Sequence, residues 1–247
     1  MKRYIFILAI LFCCGWVAAQ KPSKKETSSN KEEGSHKALY GIYLGPTIDW
    51  FAPTSNALNY KTAKAGLIAG AIVDVNLVPK DILYFTTGVL ARYIQGDVSF
   101  DNQYNLNNND TIVTTVRTYQ TTYLTIPTGV KFRTNPLNNC IFLGKLGLYH
   151  NFKLAGKQFD NFSLSGEDDE YYITTKKKNN EDAALFAESG YVGLGFEYVF
   201  QKNLRVFANL DYSCQFNYFN SKAMSNISNA RFKTIVHSLH ITFGVLF

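Results

Sequence analysis

The chain has 247 residues, 46% hydrophobic, 18% charged and 15% aromatic, with 25 Lys and Arg against 19 Asp and Glu. Its formal charge of +6 is too small an excess to mark a nucleic-acid binder and suits a weak affinity for anionic lipid head groups. Beyond the N-terminus no run of about 18 apolar residues offers a spanning helix, and four cysteines, two of them in the N-terminal apolar run, leave too few thiols for a structural zinc site.

Residues 1–19 have the form of a secretory signal. Lys2 and Arg3 supply the positive start, residues 4–12 a short apolar core, and Val17-Ala18-Ala19 a small-residue site with cutting expected before Gln20. A lipoprotein signal at Cys13 or Cys14 fits less well, because bulky Phe12 stands where a small residue is normal. Residues 20–37 are rich in Lys, Glu and Ser and too poor in apolar side chains to fold, so they are expected to form a disordered periplasmic tail. About 210 residues remain, the length of one domain (residues 38–247). Chain export excludes nucleic acid as a partner.

From there the pattern has period two, the signature of strands with one apolar face. The first strand is expected over residues 39–50, with Tyr40, Ile42, Leu44, Ile48 and Trp50 on its apolar face. The second spans 63–77 (Leu67, Ala69, Ala71, Val73, Val75) and the third 82–98 (Leu83, Phe85, Val89, Ala91, Tyr93). The fourth spans 114–133 (Leu124, Ile126, Val130, Phe132) and the fifth 140–154 (Phe142, Leu146, Leu148, Phe152). The sixth spans 185–200 (Val192, Leu194, Phe196, Tyr198, Phe200) and the seventh 204–219 (Leu204, Val206, Ala208, Leu210, Tyr212). The eighth closes the chain with Leu239, Ile241, Phe243, Val245 and Phe247. Helical periodicity is absent.

Connections after strands two, four and six are tight, with Pro, Asn and Asp at 78–81, 135–139 and 201–203. Those after strands one, three, five and seven are longer and polar, the longest being 155–184. Short turns on one side and long loops on the other are the layout of an outer-membrane barrel. Without a spanning helix, a closed barrel is the remaining way to satisfy every backbone group in lipid. The expectation is an all-β fold: a single antiparallel up-and-down transmembrane β-barrel of about eight strands, with periplasmic turns and extracellular loops, in the bacterial outer membrane. Its partners would be outer-membrane lipid and the barrel-assembly machinery, which would read Phe243, Val245 and Phe247 as a C-terminal signal.

With the apolar set facing lipid, the alternate residues face the lumen. They include Asp49, Asp74, Arg92, Lys131, Arg133, Lys145, Lys153, Glu197, Arg205 and Asp211. A barrel of about eight strands is filled by its own side chains, and unpaired charge there is costly. A lumen ion-pair network of Asp74, Arg92, Lys131, Arg133, Glu197, Arg205 and Asp211 follows, with Arg92, Lys131 and Arg133 expected to find Asp74, Glu197 or Asp211. Catalysis has one candidate, His237 and His240 with Ser238, Ser213 and Asp211. The two histidines differ by an odd number and point to opposite faces of one strand, so a converging Ser/His/Asp set is not formed. No spacing suggests a metal or cofactor. The asparagines at 105–109 and the acidic residues at 167–170 offer oxygen ligands for calcium, but such runs are more often solvated loops. Cys140 and Cys214 fall on separate strands and nothing sets them side by side, so a disulfide in an oxidising compartment and two unpaired, packed thiols both stay open.

The segment Thr122-Tyr123-Leu124-Thr125-Ile126-Pro127, continuing to Val130-Lys131-Phe132, resembles a recurrent stretch of the PorT-like outer-membrane β-barrel family of Bacteroidota. The resemblance implies a single small barrel in the outer membrane, some members serving type IX secretion and gliding, and it brings no catalytic motif. Pro127 fits an inward site or a bulge. Three functions follow: a non-enzymatic structural or accessory envelope subunit, a component of a type IX secretion or gliding-type complex with other envelope proteins as partners, or a soluble lipocalin-like barrel with its apolar face turned inward around a ligand.

Overall fold

In a computed structural model the described residues are 38–54, 58–78, 81–106, 109–164, 173–177, 183–201, 204–219 and 233–247. The signal, the N-terminal tail and the acidic residues at 167–170 lie outside them. The strands are β1 (Ala38–Pro53), β2 (Asn59–Asn76), β3 (Leu83–Leu106), β4 (Asn109–Arg133), β5 (Cys140–Leu164), β6 (Ile173–Lys177), β7 (Phe186–Gln201), β8 (Leu204–Gln215) and β9 (Thr234–Leu246). No described residue is helical. Strands next to each other in the sequence pair antiparallel, except that β7 pairs with β5 rather than with β6, and β9 returns to β1. Eight strands thus close on themselves, and no edge of the ring is left for lipid to meet. The ninth, β6, lies against the outer part of β5, from Gln158 opposite Lys177 to Phe162 opposite Ile173.

Alternation decides which way each side chain points. Tyr40, Ile42, Leu44 and Ile48 on β1 are 46–61% exposed, while Leu39, Thr47, Asp49 and Phe51 between and beyond them are buried. Val192, Leu194, Phe196 and Phe200 on β7 and Phe243 and Phe247 at the chain end are likewise exposed. The apolar face is therefore the outside, and the inward-facing arrangement that a soluble ligand-binding barrel requires is overturned. About ten residues separate Tyr40 from Trp50, and Tyr198 from Glu188. At the rise and tilt of barrel strands that is roughly 25 Å, the height of the apolar band of such barrels. Trp50, Tyr212 and His237 sit together at its outer rim, with Trp50 stacked on His237 at 5.6 Å and the Tyr212 hydroxyl 2.6 Å from His237 Nδ1.

The tight connections are built from local polar contacts. In the β2–β3 turn the Asn76 side chain bonds Asp81, and its Oδ1 accepts from the Val78 N–H at 3.1 Å. Asp81 and Asn138, in the β2–β3 and β4–β5 turns, both have φ of 55°, a conformation these two residue types tolerate. The chain end is clasped to its beginning: Tyr40 N–H donates to Phe247 O at 3.0 Å and Phe247 N–H to Tyr40 O at 2.8 Å.

Three strands run farther than the apolar pattern indicates. β3 and β4 continue as a ladder until Leu106 faces Asn109, and β5 continues to Leu164. The segment between strands three and four is thus the end of a hairpin, and Asn105 and Asn109 belong to its paired backbone rather than to a loop. Along these extensions polar and apolar residues are buried side by side, with Asp97, Val98, Ser99 and Phe100 all buried, so no simple apolar alternation marks the strand. The threonines at 111, 114, 115, 118, 121 and 122 still favour extended backbone.

Closure depends on close approach at the β1–β9 seam, where a side chain on Gly45 would begin 2.0 Å from the Ile241 carbonyl oxygen. Gly45→Val is therefore expected to prevent closure. On an unboiled detergent gel the fast-migrating folded band should be lost, while Leu44→Val, at an exposed neighbouring position, keeps it.

Candidate functional site

The lumen is the site with the densest chemistry. Inward positions on β2, β4, β7 and β8 bring Asp74, Lys131, Arg133, Glu197 and Arg205 into one cluster at the short-turn end. Asp74, fully buried, accepts from Thr86 Oγ1 at 2.6 Å and from Lys131 Nζ. Arg133 donates to Glu197 Oε1 through Nε at 3.0 Å and Nη2 at 2.6 Å, and its Nη2 also reaches Asp74 at 3.3 Å. Lys131 lies 3.7 Å and Arg205 3.6 Å from Glu197. The Arg133 guanidinium sits 4.0 Å over the Tyr84 ring, which supplies an apolar but electron-rich floor.

A second layer lies above. Lys145 on β5 bonds Asp211 on β8 at 2.7 Å. Tyr149 stacks on Tyr191 at 4.3 Å and on His240 at 5.7 Å. The remaining space beside Tyr43, Lys131, Lys145 and Tyr149 is about 20 Å³, room for one water. A third layer joins Asp49, Arg92, Ser238 and Thr47. Arg92 Nη2 donates to Ser238 Oγ at 2.6 Å, Ser238 donates to Asp49, Thr47 donates to Asp49 at 2.9 Å, and Arg92 stands 3.6 Å from the same carboxylate.

Above these layers lies an aromatic cluster, and two residues beyond Tyr119 the buried Arg117 pairs with Asp160. Phe51, Tyr119 and Phe219 pack with ring centroids 4.6–5.9 Å apart, joined by Leu58, Ala183 and Val236. Leu58, Ala183 and Phe219 come from the connections at the outer end. Among the described residues the lumen is thus layered charge with an aromatic cluster above it.

The structure brings Lys131, Arg133, Arg205, Asp74 and Glu197 together, but Arg92 stays apart from them. Arg92 pairs with Asp49 because it sits six residues farther along β3 than Thr86, the residue opposite Asp74. Parity tells which face a residue takes, whereas its height in the lumen depends on how the strands are staggered. Asp211 goes to Lys145 for the same reason. His237 and His240 do take opposite faces: His237 is in the outer rim, and His240 is buried with Nε2 3.0 Å from Ser213 Oγ. The Asp211 carboxylate bonds Lys145 rather than His240, so no hydroxyl–imidazole–carboxylate relay forms there. Ser238 serves the Asp49–Arg92 pair. Among the described residues no three His, Cys, Asp or Glu side chains are placed to hold a metal ion. Cys140 and Cys214 are both free. Pro127 faces inward, at the edge of the small cavity. The aromatic cluster and the Asp49–Arg92–Ser238 network are not legible in single strands, since each forms from residues far apart in sequence that only closure assembles.

Removing one partner from a buried pair costs far more than removing an exposed one. Asp74→Ala should destabilise the folded barrel by about 3–5 kcal/mol, leaving Lys131 and Arg133 short of a counter-charge. Lys64→Ala, which breaks the partly exposed Lys64–Asp97 bridge, should cost less than about 1 kcal/mol. Urea-dependent loss of the folded gel band measures both.

Residues 18–217 match the family described as outer membrane protein beta-barrel domain. No curated protein matches the chain. Among solved structures it is similar to Ail, the attachment invasion locus protein of Yersinia pestis, with 14% identity over 86% of this chain and 100% of that one and a TM-score of 0.35. It is also similar to the outer membrane protein OprG of Pseudomonas aeruginosa, with 11% identity over 85% and 96% and a TM-score of 0.42, and to the outer membrane protease OmpT of Escherichia coli, with 10% identity over 90% and 99% and a TM-score of 0.32. With most of its length matched by the family and its apolar residues turned outward in a band of bilayer height, the chain belongs to the outer membrane protein β-barrel domain family and is a barrel of the bacterial outer membrane.

Proposed function

We propose that this barrel is a non-enzymatic, non-conducting structural or accessory subunit of the cell envelope. The observation that carries the reading is the lumen itself: among the described residues, stacked ion-pair layers and an aromatic cluster fill the space a solute or substrate would need. Such an interior holds the barrel's shape, and contact with partners falls to its surfaces. The barrel-assembly machinery would recognise the last strand through Phe243, Val245 and Phe247.

A second reading, a PorT-like component of a type IX secretion or gliding-type complex, is favoured by β4. The strand carries the Tyr123–Phe132 segment on which the resemblance rests, and it also forms, with β3 and β5, the wall that stands above the bilayer. Other envelope proteins would be its partners, met by that wall or by the N-terminal tail.

In planar bilayers the purified protein is expected to give no discrete conductance steps. Phe219→Ala, which thins the aromatic cluster but leaves three charged layers beneath it, should be equally silent, and steps from the unaltered protein would sink the filled-lumen reading. Pull-down from detergent with residues 20–37 deleted separates the two roles: loss of a stoichiometric partner supports the secretion complex, and an unchanged set of co-purifying proteins supports the general accessory role.

A further inference from the structure

On the outward face of β3, β4 and β5 the apolar belt ends in a recess of about 390 Å³. Tyr93 on β3, Gln120 and Thr122 on β4, and Leu154, Ala155 and Lys157 on β5 line it. The backbone is irregular here. Thr122 faces Ala155 but Tyr123 faces Lys153, so Leu154 is an extra residue on β5 and the strand bulges. Tyr93, Thr122 and Ala155 form one cross-strand row, and its two small members keep the floor of the recess low.

That row lies at the outer boundary of the band. Ten residues separate Leu83 from Tyr93 and Phe132 from Thr122, the same spacing that separates Tyr40 from Trp50 at the outer rim. One row below, Ala91, Leu124 and Phe152 face outward and are apolar. One row above, Gln95, Gln120 and Lys157 are polar. The recess therefore spans the change from hydrocarbon to head groups. Lys157 is exposed, and Tyr93, Gln120 and Thr122 are half-buried. Among the described residues none of these side chains has a hydrogen-bond or ion-pair partner within the protein. Lys64 at the same outer end, by contrast, is held by Asp97 at 2.8 Å. The recess thus offers a cation free of any carboxylate, with an amide and two hydroxyls beside it.

We propose that this recess binds the phosphorylated sugar head of an outer-leaflet glycolipid, its phosphate against Lys157 and its acyl chains over Ala91, Leu124 and Phe152. An ammonium at the margin of a low-dielectric layer attracts an anion more strongly than one in bulk water. Hydrogen bonds to an ionised acceptor are the strong ones, and the Gln120 amide and the Thr122 and Tyr93 hydroxyls supply donors for the remaining phosphate and sugar oxygens. Tyr93 presents an apolar ring below and a polar tip above, as the boundary requires. The bulge at Leu154 makes room for a head group that a regular ladder would exclude. The proposal rests on the outer-membrane location alone and stands or falls apart from the accessory role.

The test uses the full barrel reconstituted in vesicles that contain equal amounts of phosphorylated lipid A and of the same lipid A stripped by phosphatase. The barrel is extracted in mild detergent, and the retained glycolipid is counted by mass spectrometry. Unaltered protein should retain the phosphorylated form about tenfold over the stripped form. Lys157→Gln should bring that ratio near one. Ala155→Trp, which fills the recess, should lower retention of both forms. Leu194→Trp, exposed in the belt on β7, should change neither the ratio nor the amount. Where Ala155→Trp fails to give the folded gel band, Thr122→Tyr replaces it. Equal retention of the two forms by unaltered protein, or a preference that survives Lys157→Gln, overturns the phosphate site. Retention by the recess-filling variant equal to that of the unaltered protein overturns the recess.

Discussion

Backbone hydrogen bonding in hydrocarbon is the constraint from which the rest follows. Each peptide group that meets lipid must find its partner within the protein, and a sheet can meet that demand only by returning to its first strand. The β1–β9 ladder does so here, with the clasp between Tyr40 and Phe247 at its lower end and the close approach of Gly45 to Ile241 farther up. Once the ring is closed, every strand has one face toward lipid and one toward a narrow interior. The exposed Leu, Val and Phe side chains and the buried Asp, Arg and Lys side chains are two sides of that one geometric fact.

Eight strands make an interior too narrow to stay empty. Long cationic side chains from β3, β4, β5 and β8 reach across it, and carboxylates on β1, β2, β7 and β8 meet them. Buried pairs of this kind contribute little net stability against an apolar core of the same volume, yet breaking one is expensive. The network therefore acts more as a lock on strand register than as a source of folding energy: a strand slipped by two residues would part Asp74 from Lys131 and Asp49 from Ser238. The aromatic cluster of Phe51, Tyr119 and Phe219 packs above these layers.

The outer surface divides the labour differently. The belt is apolar and largely featureless, as a lipid-facing wall must be, and its interruptions carry information. Trp50, Tyr212 and His237 mark the outer rim. Above the rim, the β3–β4–β5 wall extends the ladder into water, where polar threonine-rich strands replace the apolar face.

Much of this was legible in residue order. Period two, tight turns alternating with longer connections and the apolar run to Phe247 specify a closed antiparallel barrel, because side-chain parity along a strand is a local property. The inward or outward direction of Asp49, Arg92, His237 and His240 follows from parity alone. Strand ends above the bilayer were not legible, since residues of both faces there are buried, polar beside apolar, and show no contrast between faces. Nor were the pairings: whether Arg92 meets Asp74 or Asp49, and whether Asp211 meets Lys145 or His240, depends on the stagger between strands, which no single strand encodes. The sequence by itself determined the barrel, its lipid face and the list of charges inside it. Only the tertiary structure decided which charges share a layer and that aromatic side chains from distant connections pack over them, because closure and register are properties of the whole ring of strands.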